Sequence, residues 1–600
     1  MVKLLFEEYD FQNRWLRILT HPILLSLFNS ILILIIIIFG VVIAARDSNV
    51  FVGLLGDGWG EVAIIEEIRT GSYYPFQDPA NAEITEPILH QPPLFFWSCM
   101  IIGKVCGIPS FWTQHIMNLV ARFLRHYTFY ILCLALFKNK KHARIALFFS
   151  VFAYSLSWIR IAGIVLLNGK TVQTGLMSII TGNTSLNVEP IVKDQINFAM
   201  YEYWDLRHNM LTQRNGSLAY GFVFLSILFY TRTKKLTDWK HLGVSAGFFG
   251  LAIITHHLIT LAFSSIFFIL FIIRLIKNRK MTIELPILLI GHLIGAFVTI
   301  PVILNLLSGG STQWILATQT TSTSWGLRNP SGRPSWPYPW EILEAYGLIF
   351  PLAILGIYWQ YKKGTLDKFS VPSVIVFWGM IIGNLQWVGI EYQVLVRQQE
   401  VLFFAFFMYA PFALEYIFLK MDLISSNQKI RYIDLLKRLK LTRFQARALF
   451  ALMLLIGLFT SQLIGFFIFN LRKTPIHFIV DGDEYEGIMW LAENTQNSEV
   501  VYGPEDVSQK IPALSGNKVA LGYVSYYSLT REDERALRIN ESLVVFGKGN
   551  YQESEEIIKK YNSSFLFVVL NELPDDKLSF FEGRFEKAFE NKDIMIFRVT

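Results

Sequence analysis

The stretch "PPLFFWSCMIIGKVCGI", residues 92–108, decides the fold. It is apolar, but Lys104 interrupts it and it falls short of the roughly 20 residues a transmembrane helix needs. If it crossed the membrane, the basic run "KNKKHAR" at 138–144 would land outside and the alternation of basic loops would fail. If it does not cross, every basic cluster falls on one side: the N-terminus, 138–144, 232–240, 274–280, 361–368 and 431–447. Lys and Arg concentrate in cytoplasmic loops, so 92–108 reads as a juxtamembrane or re-entrant helix. The N-terminus is then cytoplasmic and the C-terminus extracytoplasmic.

Apolar helices are predicted at 22–44, 111–137, 142–163, 216–231, 242–255, 258–276, 284–307, 340–360, 371–389, 400–419 and 448–470. The expected fold class is an α-helical polytopic membrane protein of about eleven spans with a small C-terminal α/β domain outside. Composition agrees. The 600 residues are 53% hydrophobic and 17% charged, with a mean hydropathy of +0.40; a soluble chain would carry about a quarter charged residues. The net charge of +7 belongs to cytoplasmic loops and does not call for nucleic acid. The run at 22–44 exceeds the about 7–15 apolar residues of a signal peptide and reads as a retained helix. Cys99, Cys106 and Cys133 all lie in apolar segments, which gives no disulfide framework and no zinc motif. The expected location is the plasma membrane.

This topology divides the chain into a membrane domain, 1–470, and an extracytoplasmic domain, 471–600, with outer loops at 45–110, 164–215 and 308–339. The glycosylation sequons at Asn183, Asn215, Asn540 and Asn562 all fall outside. In the tail, "EYEGIMWLAENT" has helical periodicity, whereas "SEVVYG", "ESLVVFG", "SSFLFVVL" and "KDIMIFRVT" read as strands. The helices 242–255 and 258–276 meet at Thr255, His256 and His257, a polar tip at the outer face.

The first outer loop opens with "LLGDGWGEVAIIEEIRTGSYYPF", residues 54–76. Asp57 and Glu61 are four apart and share a helix face. Glu66 and Glu67 lie further round, where they pair with Arg69 or with solvent. A carboxylate held near apolar walls gains proton affinity and suits a general base acting on a hydroxyl. The plainer alternative is a solvated loop, the favoured reading for Glu66, Glu67 and Asp78. The loop also carries Trp59, Tyr73, Glu86 and His90, which form a candidate substrate or acceptor loop ahead of the rigid Pro92 and Pro93.

The order of these motifs resembles the membrane glycosyltransferases of the C-type fold, in particular the protein O-mannosyltransferase and aminoarabinose-transferase branch. "GDGW" and "HQPPLFFW" resemble that branch's acidic loop and His-Pro-Pro-Leu stretch, with Gly58 where an Asp-Glu pair is common and Gln91 inserted. "ARFLRHYTF", "GVSAGFFGLAIITHHLITLAF" and "VLVRQQEVLFFAFFMYAPFAL" resemble later spans, and the tail resembles the outer domain of uncharacterised archaeal or bacterial members. The resemblance implies a transferase that uses a polyprenyl-phosphate-linked sugar as donor, with a glycan, lipid or protein as acceptor. Asp57 then stands in the place of the catalytic acid, with Glu61 beside it. A departing lipid phosphate needs cations or dipoles; the candidates are Arg397, His256, His257, Arg207 and Arg122.

Each candidate has a plain alternative. Arg397 could snorkel to the interface, His256 and His257 could cap two helices, and Arg125 and His126 could pair inside the bundle. The aromatic-rich stretch 201–216 serves as a sugar platform or as an interfacial anchor. The first loop has no Asp-x-Asp, and Asp481 and Asp483 read as a turn after the last span, so neither a divalent metal nor another cofactor is expected. No P-loop, dinucleotide fingerprint or nucleophile motif occurs. A transporter or lipid flippase is the runner-up, and a non-catalytic cell-surface scaffold is third. Transporters place charge at mid-membrane and often repeat internally, whereas here charge gathers at the outer boundary.

Overall fold

The computed structural model describes residues 21–46, 48–51, 58–71, 76–77, 87–88, 92–152, 214–233, 235–279, 282–307, 346–366, 370–382, 393–426, 479–521, 532–548 and 550–599. The predicted span at 448–470 and the outer loops 164–215 and 308–339 lie almost wholly outside these residues. The first helices are α1 (Pro22–Arg46), α2 (Gly58–Arg69), α3 (Leu94–Cys106), α4 (Ser110–Phe137) and α5 (Lys140–Phe152). Short strands β1 (Val50–Phe51), β2 (Phe76–Gln77) and β3 (Pro87–Ile88) intervene. Next come α6 (Arg214–Arg232), α7 (Trp239–Thr255), α8 (His257–Asn278), α9 (Glu284–Ile294), α10 (Ala296–Leu307), α11 (Ile349–Lys362), α12 (Ser370–Ile382) and α13 (Gln393–Ser426).

Among the described residues, four helices are long and apolar enough to cross a membrane: Pro22–Arg46, Ser110–Phe137, Ile259–Asn278 and Val401–Lys420. The helix expected at 92–108 is present as α3, and its 13 residues reach only about 20 Å at 1.5 Å per residue, against a hydrocarbon core of about 30 Å. Gly107 ends it in the left-handed region at φ 65°, its N–H bonded to the Gly103 carbonyl, a conformation glycine adopts without steric cost.

The chain divides into two compact units. The first gathers described residues of 1–32, 120–295 and 315–472. Its helices cross closely through small residues, as membrane helices do. A Cβ on Gly356 of α11 would run into the carbonyl oxygen of Tyr409 in α13, and one on Gly379 of α12 would meet Leu402 at 2.8 Å. Phe129, Tyr220, Phe224 and Phe404 interlock in the core. Where α6, α8 and α9 converge, the buried Glu284 accepts hydrogen bonds from Arg274 at 2.7 Å and from the Tyr230 hydroxyl at 2.6 Å. The single helix expected over 284–307 is instead two, broken at Gly295. That glycine lies so close to Ile253 that a Cβ would sit 2.5 Å from it, and its weak helix preference lowers the cost of the break.

The second unit gathers described residues of 33–119, 296–314 and 473–600. Its C-terminal part runs β4 (Ile479–Val480), α14 (Gly482–Asn494), β5 (Val500–Tyr502), α15 (Glu505–Ser508), α16 (Ile511–Leu514), β6 (Lys518–Val519), α17 (Glu532–Phe546), α18 (Tyr551–Lys560), β7 (Ser563–Val569), α19 (Asp575–Arg584), β8 (Glu586–Glu590) and β9 (Ile594–Arg598). Five strands form one sheet in the order β6-β5-β7-β9-β8. β6, β5 and β7 are parallel, and β9 is antiparallel to both β7 and β8. The two-residue period of a strand sends Phe565, Phe567, Ile594 and Ile596 into a cluster with Ile488 and Leu491 of α14. Leu566, Val568, Met595 and Phe597 join Val545, Ile557 and Phe581 on the opposite face. Both faces are therefore covered, as buried parallel strands require.

Here the sequence reading needs correction. "SEVVYG", "SSFLFVVL" and "KDIMIFRVT" contain strands, but "ESLVVFG" is the end of helix α17. Arg538, Ser542 and Val545 are buried while Leu537 and Leu543 are exposed, a spacing of four and three that is helical. The β-branched pair Val544 and Val545 gave the local strand signal, and packing on the sheet overrides it. At the other end of this unit, β1 pairs antiparallel with β4, Val50 opposite Val480. The N–H of Gly482 donates to Asn49 Oδ1 at 3.2 Å. A Cβ on Gly482 would strike the Ser48 carbonyl.

Candidate functional site

The predicted site centres on α2, the helix that Asp57 leads into. Its sequence "GWGEVAIIEEIR" places Glu61 in the first turn and Arg69 in the last, the charge order that a helix dipole favours. Val62, Ala63, Ile64, Ile65 and Ile68 are all buried, so this loop helix is covered nearly all round. Trp59 and Val62 pack with Phe111 of α4 and with Val480 and Ala513 from the C-terminal stretch.

Glu61 is 5% exposed. Its Oε2 accepts a 2.5 Å hydrogen bond from Nε2 of Gln114, itself buried on α4. Glu66, read from the sequence as solvated, is likewise buried at 5% exposure. Arg69 pairs with it at 2.6 Å from the same helix. Burial raises the proton affinity of Glu66, while a hydrogen bond from Ser110 and the charge of Arg69 pull it back in part. Glu67, by contrast, is half-buried, and Gly71 at φ 113° turns the chain after α2. Sequence reasoning missed Gln114 and Ser110. The available signal was "SFWTQH", polar residues at the head of an apolar helix.

Of the other predicted loop residues, Asp57, Tyr73, Glu86 and His90 lie outside the described residues, as does Arg207. Arg397 falls within the described backbone of α13, just ahead of its apolar stretch Val401–Lys420. Glu61 and Trp59 share α2 in one unit, and Arg122, His256 and His257 belong to the other. His256 sits between α7 and α8 as the N-cap of α8, its Nδ1 accepting from the Ile259 N–H at 3.4 Å. Its ring centroid lies 6.3 Å from that of the buried His257.

Arg122 and Arg125 are buried on α4 at 0% and 1% exposure. Arg125 Nη2 and Asn29 Nδ2 both approach Nε2 of His126, at 3.1 and 2.9 Å. Nδ1 of the same ring lies 3.2 Å from Ser150 Oγ, whose hydroxyl donates to the Leu147 carbonyl. Arginine cannot accept a hydrogen bond, so Nε2 of His126 is the acceptor and Nδ1 carries the proton toward Ser150. Arg125 and His126 therefore pair with each other inside a helical core, as the plain alternative for them had it.

For metal ligands, Asp481, Asp483 and Asp593 bring carboxylate oxygens within 4.8 Å of one another. Asp481 serves as the N-cap of α14, accepting from the N–H groups of Asp483 and Glu484, so the expected turn is instead the start of a helix, with Asp483 in its first turn.

The fold is that of the C-type membrane glycosyltransferases. The oligosaccharyltransferase of Archaeoglobus fulgidus, in its apo form, superposes with a TM-score of 0.52 at 11% identity, covering 93% of this chain and 73% of its own. The arabinofuranosyltransferase AftD from Mycobacteria gives a TM-score of 0.50 at 11% identity over 95% of this chain and 40% of its own. ArnT from Cupriavidus metallidurans, bound to undecaprenyl phosphate, gives 0.44 at 11% identity over 94% and 97%. No protein-family profile and no curated protein sequence matches the chain.

Proposed function

We propose that this protein transfers a sugar from a polyprenyl-phosphate-linked donor to an acceptor hydroxyl at the outer face of the membrane. The fold shared with two proteins named as sugar transferases supports the class of reaction. The observation that carries the residue assignment is α2. The helix immediately after Asp57 is buried and fixed through Trp59, Val62 and Glu61, and a base must be held rigidly to act.

In this reading the Asp57 carboxylate takes the proton from the acceptor hydroxyl. The acceptor oxygen attacks the anomeric carbon, the bond from that carbon to the phosphate oxygen breaks, and the polyprenyl phosphate leaves as an anion. One displacement inverts the anomeric centre. Cations stabilise the leaving phosphate, and Arg397, Arg207, Arg122, His256 and His257 are the candidates. Glu61, bonded to Gln114, holds the first turn of the helix in place. Replacing Asp57 with Asn lowers sugar transfer from a polyprenyl-phosphate donor in membranes by roughly 100-fold or more, the scale of a lost general base. Transfer at the wild-type rate in that variant removes Asp57 from the mechanism.

A further inference from the structure

The sheet of the second unit has a topological switch point that the reaction above does not use. From β5 the chain passes to β6 on one side, then returns through α17 and α18 to β7 on the other side. The segments leaving the C-terminal ends of β5 and β7 therefore diverge. In open α/β sheets the crevice so formed is where ligands bind.

A cavity of about 320 Å³ occupies this place, at the small end of the roughly 300–1,000 Å³ range of ligand pockets. Glu505 and Asp506 follow β5, Glu572 follows β7, and α17 supplies Ile539, Leu543 and Phe546 as an apolar wall. Asp506 and Glu572 are exposed, and Leu543 is 66% exposed at the mouth. Among the described residues the lining holds three carboxylates and no basic side chain.

We infer that this crevice binds an organic cation of side-chain size, an alkylammonium or guanidinium head on an apolar stem. The stem lies along Leu543 and Phe546, and the head meets Asp506 and Glu572. Such groups bury methylenes and keep the charge at the rim. The same lining disfavours phosphates and other anions, because its three carboxylates repel them. This site is independent of the sugar-transfer assignment.

The test uses the full chain in lipid nanodiscs and saturation-transfer NMR with N-acetyl-arginine amide. N-acetyl-citrulline amide, of nearly the same shape and uncharged, is the control. The arginine probe binds at least about five-fold more tightly than citrulline, and D506N combined with E572Q removes that margin, as expected for rim charges. High salt weakens the arginine probe alone in the wild type, an arm that requires no variant to fold. A short peptide with a central arginine identifies the source: tighter binding than the free amide points to a polypeptide, and equal binding to a small amine or guanidinium. Equal affinity for arginine and citrulline, unchanged arginine binding in the double variant, or no binding of either the amide or the peptide overturns the inference.

Discussion

Glu66 on α2 and Glu284 at the start of α9 are both buried carboxylates paired with an arginine, at 2.6 and 2.7 Å. They do different work. The charged partner of Glu66 is Arg69, three residues along the same helix and 53% exposed. Glu284 draws Arg274 from α8 and Tyr230 from α6, so one oxygen ties three helices, and Arg274 also lies 5.5 Å over the Tyr230 ring. Distance alone does not rank the two pairs. Rank follows from whether the charged partner arrives from elsewhere in the fold.

Breaking the tertiary pair tests that ranking most directly. Glu284→Ala leaves Arg274 without its counter-charge among packed helices and lowers stability by about 3–5 kcal/mol, measured as loss of the thermal transition in detergent. Tyr230→Phe removes one hydrogen bond to a charged group and keeps the arginine, at a cost of about 1.5 kcal/mol. A Tyr230→Phe loss as large as that of Glu284→Ala would reverse the order of the two contacts.

The local pair gives smaller effects with a pH signature. Burial raises the Glu66 pKa above its ordinary carboxylate value, so the folded state binds the proton more tightly than the unfolded state does. The stability this contributes is complete below the unfolded pKa and is lost as pH rises through the folded one. Glu66→Gln therefore gains on the wild type as pH rises from 4 to 8, read as a difference in melting temperature. Arg69→Ala costs about 1 kcal/mol or less, because the arginine is half exposed and water screens its side of the pair. A large loss there would put the two carboxylates in one class.

The burial of Glu66 also marks what a sequence can and cannot disclose. Helix α3 was legible because length and Lys104 are local facts, and the sheet strands β7 and β9 because both have long apolar runs. The end of α17 was misread because Val544, Val545 and Phe546 prefer strands locally, and the core they pack against is remote. The break at Gly295 was hidden inside an unbroken apolar run, since the close approach of Ile253 comes from another helix. On α2, spacing singled out Glu61 but could not show Gln114 as its donor. It also placed Glu66 in solvent, because the cover over that helix comes from the head of α4 and from residues near 480 and 513.

The bond between Asn49 and Gly482 spans 433 positions, and it has a consequence in time. At the usual 5–20 residues per second of synthesis, the β4 partner of β1 emerges on the order of a minute after β1 itself has been made. Trp59 and Val62 wait as long for the cover that Val480 and Ala513 provide. The segment around α2 is thus among the first to be made and among the last to be completed, and a ribosome stalled before residue 479 leaves its apolar surface available to chaperones and proteases.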